Sequence, residues 1–544
     1  MNSIEVVLAM ILAVVASGYL VRILPVSLPL PLVQIGLGAV IAGVLKQGVA
    51  LNPDIFFLLF LPPLLFLDGW RIPKNGLFRD RAVILELALG LVVFTVIGAG
   101  FFIHWLIPAM PLAVAFALAA IVSPTDPVAV SSIAARAPIP KRLMHILEGE
   151  SLLNDATGLV CFRFAVAAVM TGGFSLASAS LTFLWVALAG LGIGVGLTLA
   201  VSFTQRWLSR HFGEERGSPI LISLLIPFGA YLLAEHLDAS GILAAVAAGI
   251  TMSYVELTGR ALATTRLQRA AVWDTMQFAL NGIMFVLLGE QLPGILQDAI
   301  TAVEQSGHLN PWWLAVYALA INAGLALLRF VWVWTSLRLS LFRSRQHSSP
   351  VHWRLVAATS LAGVRGAITL AGVLTLPLLM PDGNLFPARE LAVFLAAAVI
   401  LLSLIVASIG LPRLLHGLEL PEESAENREE DMARHVAATA AIEAIEQAQY
   451  DLAHEAADAD IYTNAATRVI AFYRRSLDNE VAGEREAGQL RKADQAERAL
   501  RVAGLQAERA AIFNLARQYQ ISDEISRKLV REIDLAESRY VQNV

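Results

Sequence analysis

A single cysteine, Cys161, occurs in 544 residues, so an internal disulfide and a thiolate metal cluster are both excluded. The thiol reads as a small apolar residue packed inside a helix. No GxxxxGK[ST] run occurs, so direct drive by nucleotide hydrolysis is not expected. No basic stretch precedes the apolar residues 4–24 and no small-residue cleavage site follows them. The segment therefore reads as a first membrane span rather than a cleaved leader. Charge is scarce as well: 16% of residues are charged against 57% hydrophobic, with a mean hydropathy of +0.64. That is not the composition of a soluble domain. The net charge of −5 gives no sign of a nucleic-acid partner.

The charge that exists is unevenly placed. Residues 412–544 hold 17 of the 40 Lys/Arg and 25 of the 45 Asp/Glu. This divides the chain into a membrane domain, 1–411, and a water-soluble cytoplasmic tail, 412–544. In the tail, 431–457 and 481–518 have helical periodicity, and 522–534 reads as an amphipathic helix starting after Ser522. A regulatory role and a passive extension fit the tail equally.

A span needs about 20 apolar residues. The runs that qualify are 4–24, 27–45, 51–70, 82–107, 111–133, 143–170, 181–204, 219–234, 240–255, 272–292, 311–337, 353–379 and 390–411, thirteen in all. With the N-terminus outside, the inner loops carry Arg22, then Arg71, Lys74, Arg79 and Arg81, then Arg136, Lys141 and Arg142. They continue with Arg206, Arg210 and Arg216, then Arg260, Arg266 and Arg269, then Arg338, Arg343, Arg345 and Arg354. The outer loops carry only Lys46 and Arg389. Basic residues favour the cytoplasmic side, and a miscounted span would scramble the alternation after it.

Three basic residues remain, Arg163, Arg329 and Arg365, each inside a span. Each must pair or face water. Acids are buried too. SPTDP (123–127) interrupts the fifth span with Pro124 and Pro127 around Thr125 and Asp126. Proline frees carbonyl oxygens, and such a break survives in a bilayer only when buried in protein or lining a cavity. EGESLLND (148–155) follows in the next span, where Glu150 stacks with Asn154 and Ser151 with Asp155 at four-residue spacing. Asp155 and Asp126 reach a similar mid-membrane depth from opposite sides. An ionisable side chain there costs at least ~2.5–3.5 kcal/mol, which marks a functional site. Oxygens from Asp155, Ser151, Thr125 and freed backbone suit a hard cation such as Na⁺ and suit zinc poorly.

Gly363 and Gly366 flank Arg365 in the twelfth span, permitting close approach or local unwinding. The fifth and twelfth positions of the interrupted spans fit two inverted halves of six spans about a seventh. Either arginine is able to neutralise Glu150; the favoured pairing is Arg329 with Glu150, leaving Arg365 a gating or scaffold role. Gly190, Gly192, Gly194 and Gly196 read as a close-packed helix face. His104, His145 and His236 read as interfacial, and Glu86 and Glu290 as span-end groups that reach water. Asp68, after Pro62 and Pro63, divides evenly between a solvated cap and a place at an ion funnel.

FLPPLLFLDG (60–69), SPTDPVAV (123–130), EGESLLNDATGLV (148–160) and GVRGAITLA (363–371) together resemble the monovalent cation:proton antiporters, specifically the sodium/proton exchanger branch. The resemblance implies an all-α polytopic membrane protein of thirteen spans with inverted repeats and discontinuous helices. It implies a homodimer in the plasma membrane, a core moving against a dimerisation domain, no cofactor and no enzymatic chemistry. It also implies that Asp155 binds cation and proton, that Thr125, Asp126, Ser151 and Asp68 complete the ion shell, and that Glu150 with Arg329 is structural. Asn154 before Asp155 implies electroneutral exchange. Na⁺ is the expected cation, K⁺ or Li⁺ the alternatives. From other classes, a cation channel and a cation sensor signalling through the tail stay open.

Overall fold

Backbone groups placed in hydrocarbon must find their hydrogen bonds within the segment, and this chain finds them in helices. The computed structural model describes residues 3–24, 28–45, 53–72, 81–126, 130, 141–171, 176–213, 217–256, 263–305, 312–343, 353–416, 423–453, 463–471, 473–474, 500–515, 518, 520 and 523–541. Some expectations fall outside these residues. They concern Pro127 and most of the fifth span beyond it, the loop residues Lys46, Lys74, Arg79, Arg136, Arg216, Arg260 and Arg345, the tail stretch 481–499, and Ser522.

The first unit comprises α1 (Ser3–Ile23), α2 (Leu30–Leu45), α3 (Pro53–Arg71), α4 (Arg81–Leu85), α5 (Val92–Leu106), α6 (Leu112–Val122), α7 (Lys141–Thr171) and α8 (Leu176–Phe212). It continues with α9 (Ser218–His236), α10 (Gly241–Glu256), α11 (Ala263–Gln305), α12 (Trp312–Arg343), α13 (Trp353–Leu361), α14 (Ala367–Leu374) and α15 (Arg389–Leu415). Among the described residues, eight helices are long and apolar enough to cross a membrane, and α2, α6 and α10 are shorter apolar helices. The fold is thus that of an all-α, multi-pass membrane protein.

Several details differ from the sequence expectation. A π-helical stretch, Glu86–Leu91, joins α4 to α5 within what reads as one plain span. The α11 helix is 43 residues long, about 65 Å at 1.5 Å per residue, and overruns the expected span at both ends. Glu290 is therefore not a span-end group reaching water; it is 3% exposed within that helix. Pro412 lies inside α15, and the chain divides into two compact units, Met1–Leu418 and Glu419–Val544.

Of the three span arginines, Arg163 lies on the outside of the bundle, 3.4 Å from Glu235 of α9, both partly exposed. His104 and His236 make local contacts to the carbonyls of Met110 and Leu232. On α8, Gly190 and Gly194 press against the backbone of Ser240 and Ala244, whereas Gly192 and Gly196 face open space. Only alternate members of that glycine series form a packed face.

Helices α3 and α10 approach closely beside the site. A Cβ at Gly69 would lie 2.6 Å from the Val246 carbonyl, and one at Gly249 would collide with the Phe66 carbonyl. These reciprocal contacts fix the last turns of α3, where Asp68 stands.

In the second unit, Glu419–Val544, helices span Glu423–Ala453, 463–471, 500–515 and Asp523–Val541. Arg509 joins the last two through Asp534, at 2.9 Å, and Glu537. Ser526 and Ile533 form the buried side of the last helix.

Gly249→Ala should lower the melting temperature of the purified protein in detergent, because the added methyl meets an immobile carbonyl; overpacking of this kind costs about 1–3 kcal/mol. Gly196→Ala should leave it unchanged or raise it. Equal melting of the two variants would contradict the packing described.

Candidate functional site

The α6 helix ends at Val122, and residues 123–126 are not helical. Pro124 cannot donate to the ladder, and although Ser123 before it keeps helical angles (φ −75, ψ −40), the chain leaves the axis at SPTDP. A second interruption separates α13 from α14, with Gly366 extended (φ −100, ψ −176) at the start of α14. The two breaks meet. The Asp126 amide donates to the Val364 carbonyl at 2.7 Å. A Cβ at Gly366 would collide with the Asp126 side chain, so only glycine lets that carboxyl sit against the N-terminal end of α14. A helix N-terminus carries partial positive charge, which suits an acid.

The free carbonyls at the two helix ends are met by arginine. Arg365 Nε donates to the Val122 carbonyl at 2.8 Å, closing the C-terminus of α6. Another of its nitrogens donates to Gly363 O, and its backbone N–H donates to Ser403 Oγ at 3.1 Å. Arg329 Nε donates to the Thr359 carbonyl at 3.1 Å, in the last turn of α13. Its two terminal nitrogens grip Glu150 as a fork, at 2.5 and 2.7 Å, with both side chains buried. The geometry joins Glu150 to Arg329 and aims Arg365 at backbone.

Thr125 extends this pair. Its hydroxyl donates to Glu150 Oε1 at 3.1 Å and accepts from Asn154 Nδ2 at 3.0 Å. A continuous network therefore runs Asn154–Thr125–Glu150–Arg329–Thr359. Asn154 Oδ1 and Ser123 Oγ are buried without a hydrogen-bond partner among the described residues. Such orphaned groups cost about 1–3 kcal/mol each and mark where water or an ion is wanted.

Beside the network lies a cavity of about 30 Å³, room for about one water molecule. Asp155 and Ser151 enter it from α7, Thr125 and Asp126 from the first break, and Asp68 from α3. All six residues read from the sequence as the ion site fall here or, for Asn154, against it. Asp68 is a wall residue of the cavity rather than a solvated cap. Sequence reasoning missed Gln277, Asn281 and Met284 of α11 and Thr369 of α14, which complete the wall. The signal was available: Gln277 and Asn281 are polar, four apart, in an otherwise apolar run. Asp155 is 6% exposed and makes no hydrogen bond or ion pair with any described residue. Among the described residues, no three His, Cys, Asp or Glu side chains form a resident-metal cluster.

Comparison with known proteins gives the family. Residues 9–417 match the family model for the transmembrane sodium/hydrogen exchanger. The chain belongs to the sodium/hydrogen exchanger family. It is 42% identical over 544 residues to the uncharacterized Na(+)/H(+) exchanger YjcE of Escherichia coli, covering 98% of each chain. It is 43% identical over 417 residues to the sodium, potassium, lithium and rubidium/H(+) antiporter of Bacillus pumilus. That match takes in 75% of this chain and 61% of the relative, so part of the Bacillus protein has no counterpart here. The solved sodium proton antiporter MjNhaP1 of Methanocaldococcus jannaschii shares the fold, with a TM-score of 0.58 at 18% identity, over 77% of this chain and 99% of its own.

Breaking the Glu150–Arg329 fork from either side leaves a buried charge without its partner, at about 3–5 kcal/mol. Glu150→Gln and Arg329→Gln should each lower the melting temperature strongly, with the double variant losing less than the sum. Melting of Arg329→Gln at the wild-type temperature would show that the fork does not hold the bundle.

Proposed function

We propose that this chain is a secondary transporter, not an enzyme, that exchanges Na⁺ for H⁺ by letting the two compete for Asp155. The observation that carries the reading is a buried carboxylate on a water-sized cavity with no basic partner among the described residues. Arg329 and Arg365 of the neighbouring network are already committed, one to Glu150 and both to helix-end carbonyls, and Arg71 is engaged by Gln277 and Asp274. What neutralises Asp155 must therefore arrive from solution. The names of the relatives, which specify Na⁺/H⁺ exchange or antiport, support the same reading.

Burial disfavours a bare carboxylate, and either a proton or a cation relieves it, but not both at once. If the site changes sides only when loaded, exchange is obligatory. Ser151 and Thr125 would offer neutral oxygens to the cation, with Asp126 and Asp68 adding negative potential to the same cavity. The hydroxyl of Thr125 is engaged on both sides, so its share falls to a remaining lone pair or its carbonyl. Asn154 carries no charge, so one titrating carboxylate per turnover gives an electroneutral cycle.

In this reading the chain crosses the plasma membrane thirteen times, with the N-terminus outside and the tail in the cytoplasm. It works as a homodimer surrounded by lipid, needs no cofactor, and serves pH and sodium homeostasis. The two broken helices belong to inverted halves.

Acid-loaded proteoliposomes should alkalinise on addition of Na⁺, equally with and without a potassium–valinomycin clamp. Dependence on membrane potential would overturn electroneutrality, and Na⁺ flux without proton counterflow would make the protein a channel. Asp155→Asn should reduce exchange to the level of empty liposomes while the protein stays folded; retained exchange would remove Asp155 from the mechanism.

A further inference from the structure

The cavity has one wall that the family motifs do not touch. Gln277, Asn281 and Met284 stand on α11 at spacings of four and three, which places them on a single helix face. They face Asp155, Ser151 and Asp126 across a space of about 30 Å³. An ion entering a space this small must shed most of its water, so the oxygens of the walls take the place of its hydration shell. Selectivity among monovalent cations then depends on how many neutral oxygens the walls present and where.

The two amides are held differently. Gln277 Oε1 accepts from Arg71 Nη1 at 2.8 Å, and the other terminal nitrogen of Arg71 binds Asp274. A guanidinium has only donors, so it must meet the oxygen of Gln277, and the amide NH₂ is left for the cavity. A donor cannot ligate a cation. It hydrogen-bonds carboxylates instead, and Asp68 lies one turn before Arg71 on α3, on the same cavity wall. Asn281 has no such restraint: it is half-buried and makes no hydrogen bond with any described residue. Its amide is free to turn its oxygen inward.

We propose that Asn281 supplies a neutral oxygen ligand to the cation held at Asp155, while Arg71, by holding the oxygen of Gln277, keeps that neighbouring amide from becoming a second one. Arg71 is thus a positioning residue that acts through Gln277. Together the three set which monovalent cation the cavity accepts. The inference rests on the exchange reading for its setting, but cation binding tests it separately.

Two readouts are needed, taken on the full chain. The first is the half-saturating concentration of Na⁺, Li⁺ and K⁺ for exchange in proteoliposomes. The second is the rise in melting temperature that each chloride salt gives the detergent-solubilised protein, against a choline chloride control. Asn281→Ala should raise the half-saturating Na⁺ concentration about tenfold, the scale of one lost contact to a charged group. The Li⁺ and K⁺ values should move by different factors, so that their ratios to Na⁺ change. Asn281→Gln, which keeps an amide oxygen, should recover part of the loss and serves if the alanine variant fails to fold. Arg71→Gln should shift the cation ratios in the wild-type background and leave them unmoved in a Gln277→Ala background.

Unchanged ratios in both Asn281 variants would overturn the ligand assignment, and an effect of Arg71→Gln that persists without Gln277 would overturn the positioning role. If the wild-type protein is stabilised by cations but exchanges none, the exchange reading falls and the melting series alone decides this one. If no cation stabilises or is exchanged by the wild-type protein, both fall.

Discussion

The structure depends on how two interrupted helices satisfy their severed backbone inside an apolar bundle. A helix that stops in water leaves its last carbonyls to the solvent; one that stops at membrane depth has no such recourse. Here each break is served by the other or by a buried arginine. Asp126 donates its amide to Val364, Arg365 closes the end of α6, and Arg329 closes the end of α13. Cations at helix C-termini also complement the partial negative charge there, and the Asp126 carboxyl does the reverse at the start of α14. The crossing is electrostatically closed before any ion is considered.

That closure explains why the site is available. Arg329 carries a full charge into the interior, and Glu150 cancels it through a two-bonded fork. Thr125 and Asn154 extend the same network up to the cavity wall, so the residue next to Asp155 is held in place by a chain of hydrogen bonds that ends on α13. Arg329 and Arg365 are taken up by Glu150 and by carbonyls, and Asp155 has no ion pair among the described residues. A neutralised frame thus borders a cavity lined by the carboxylates of Asp155, Asp126 and Asp68. The close contact of α3 with α10 and the Arg71 link from α3 to α11 hold the facing wall.

Much of this was legible in the chain, for local reasons. SPTDP announces a break because proline chemistry is local, and the four-residue spacings in EGESLLND place Ser151 with Asp155 whatever packs against them. Asp155, Asp126, Ser151 and Thr125 were identified in this way, whereas Asp68 was divided between a solvated cap and an ion funnel and joined the shell only through the family resemblance; all five border one cavity. The pairing of Arg329 with Glu150 was favoured but not forced, since it joins residues 179 positions apart and Arg365 was equally eligible by sequence. Gln277 and Asn281 escaped notice because two amides in an apolar run look like tolerated polar residues until the opposite wall is known. Glu290 was misplaced because apolar composition marks the membrane-embedded part of α11 and not the helix itself.

The sequence alone determined that the chain is a multi-pass helical bundle with acids and bases at membrane depth, since hydropathy, proline and helical spacing act over a few residues. Only the tertiary structure decided which charge meets which. Whether an arginine faces a carboxylate or a carbonyl is a matter of ångströms between helices distant in the chain, and no periodicity encodes that distance. The role left to Asp155 follows from the same source: it is defined by partners that other residues have already taken.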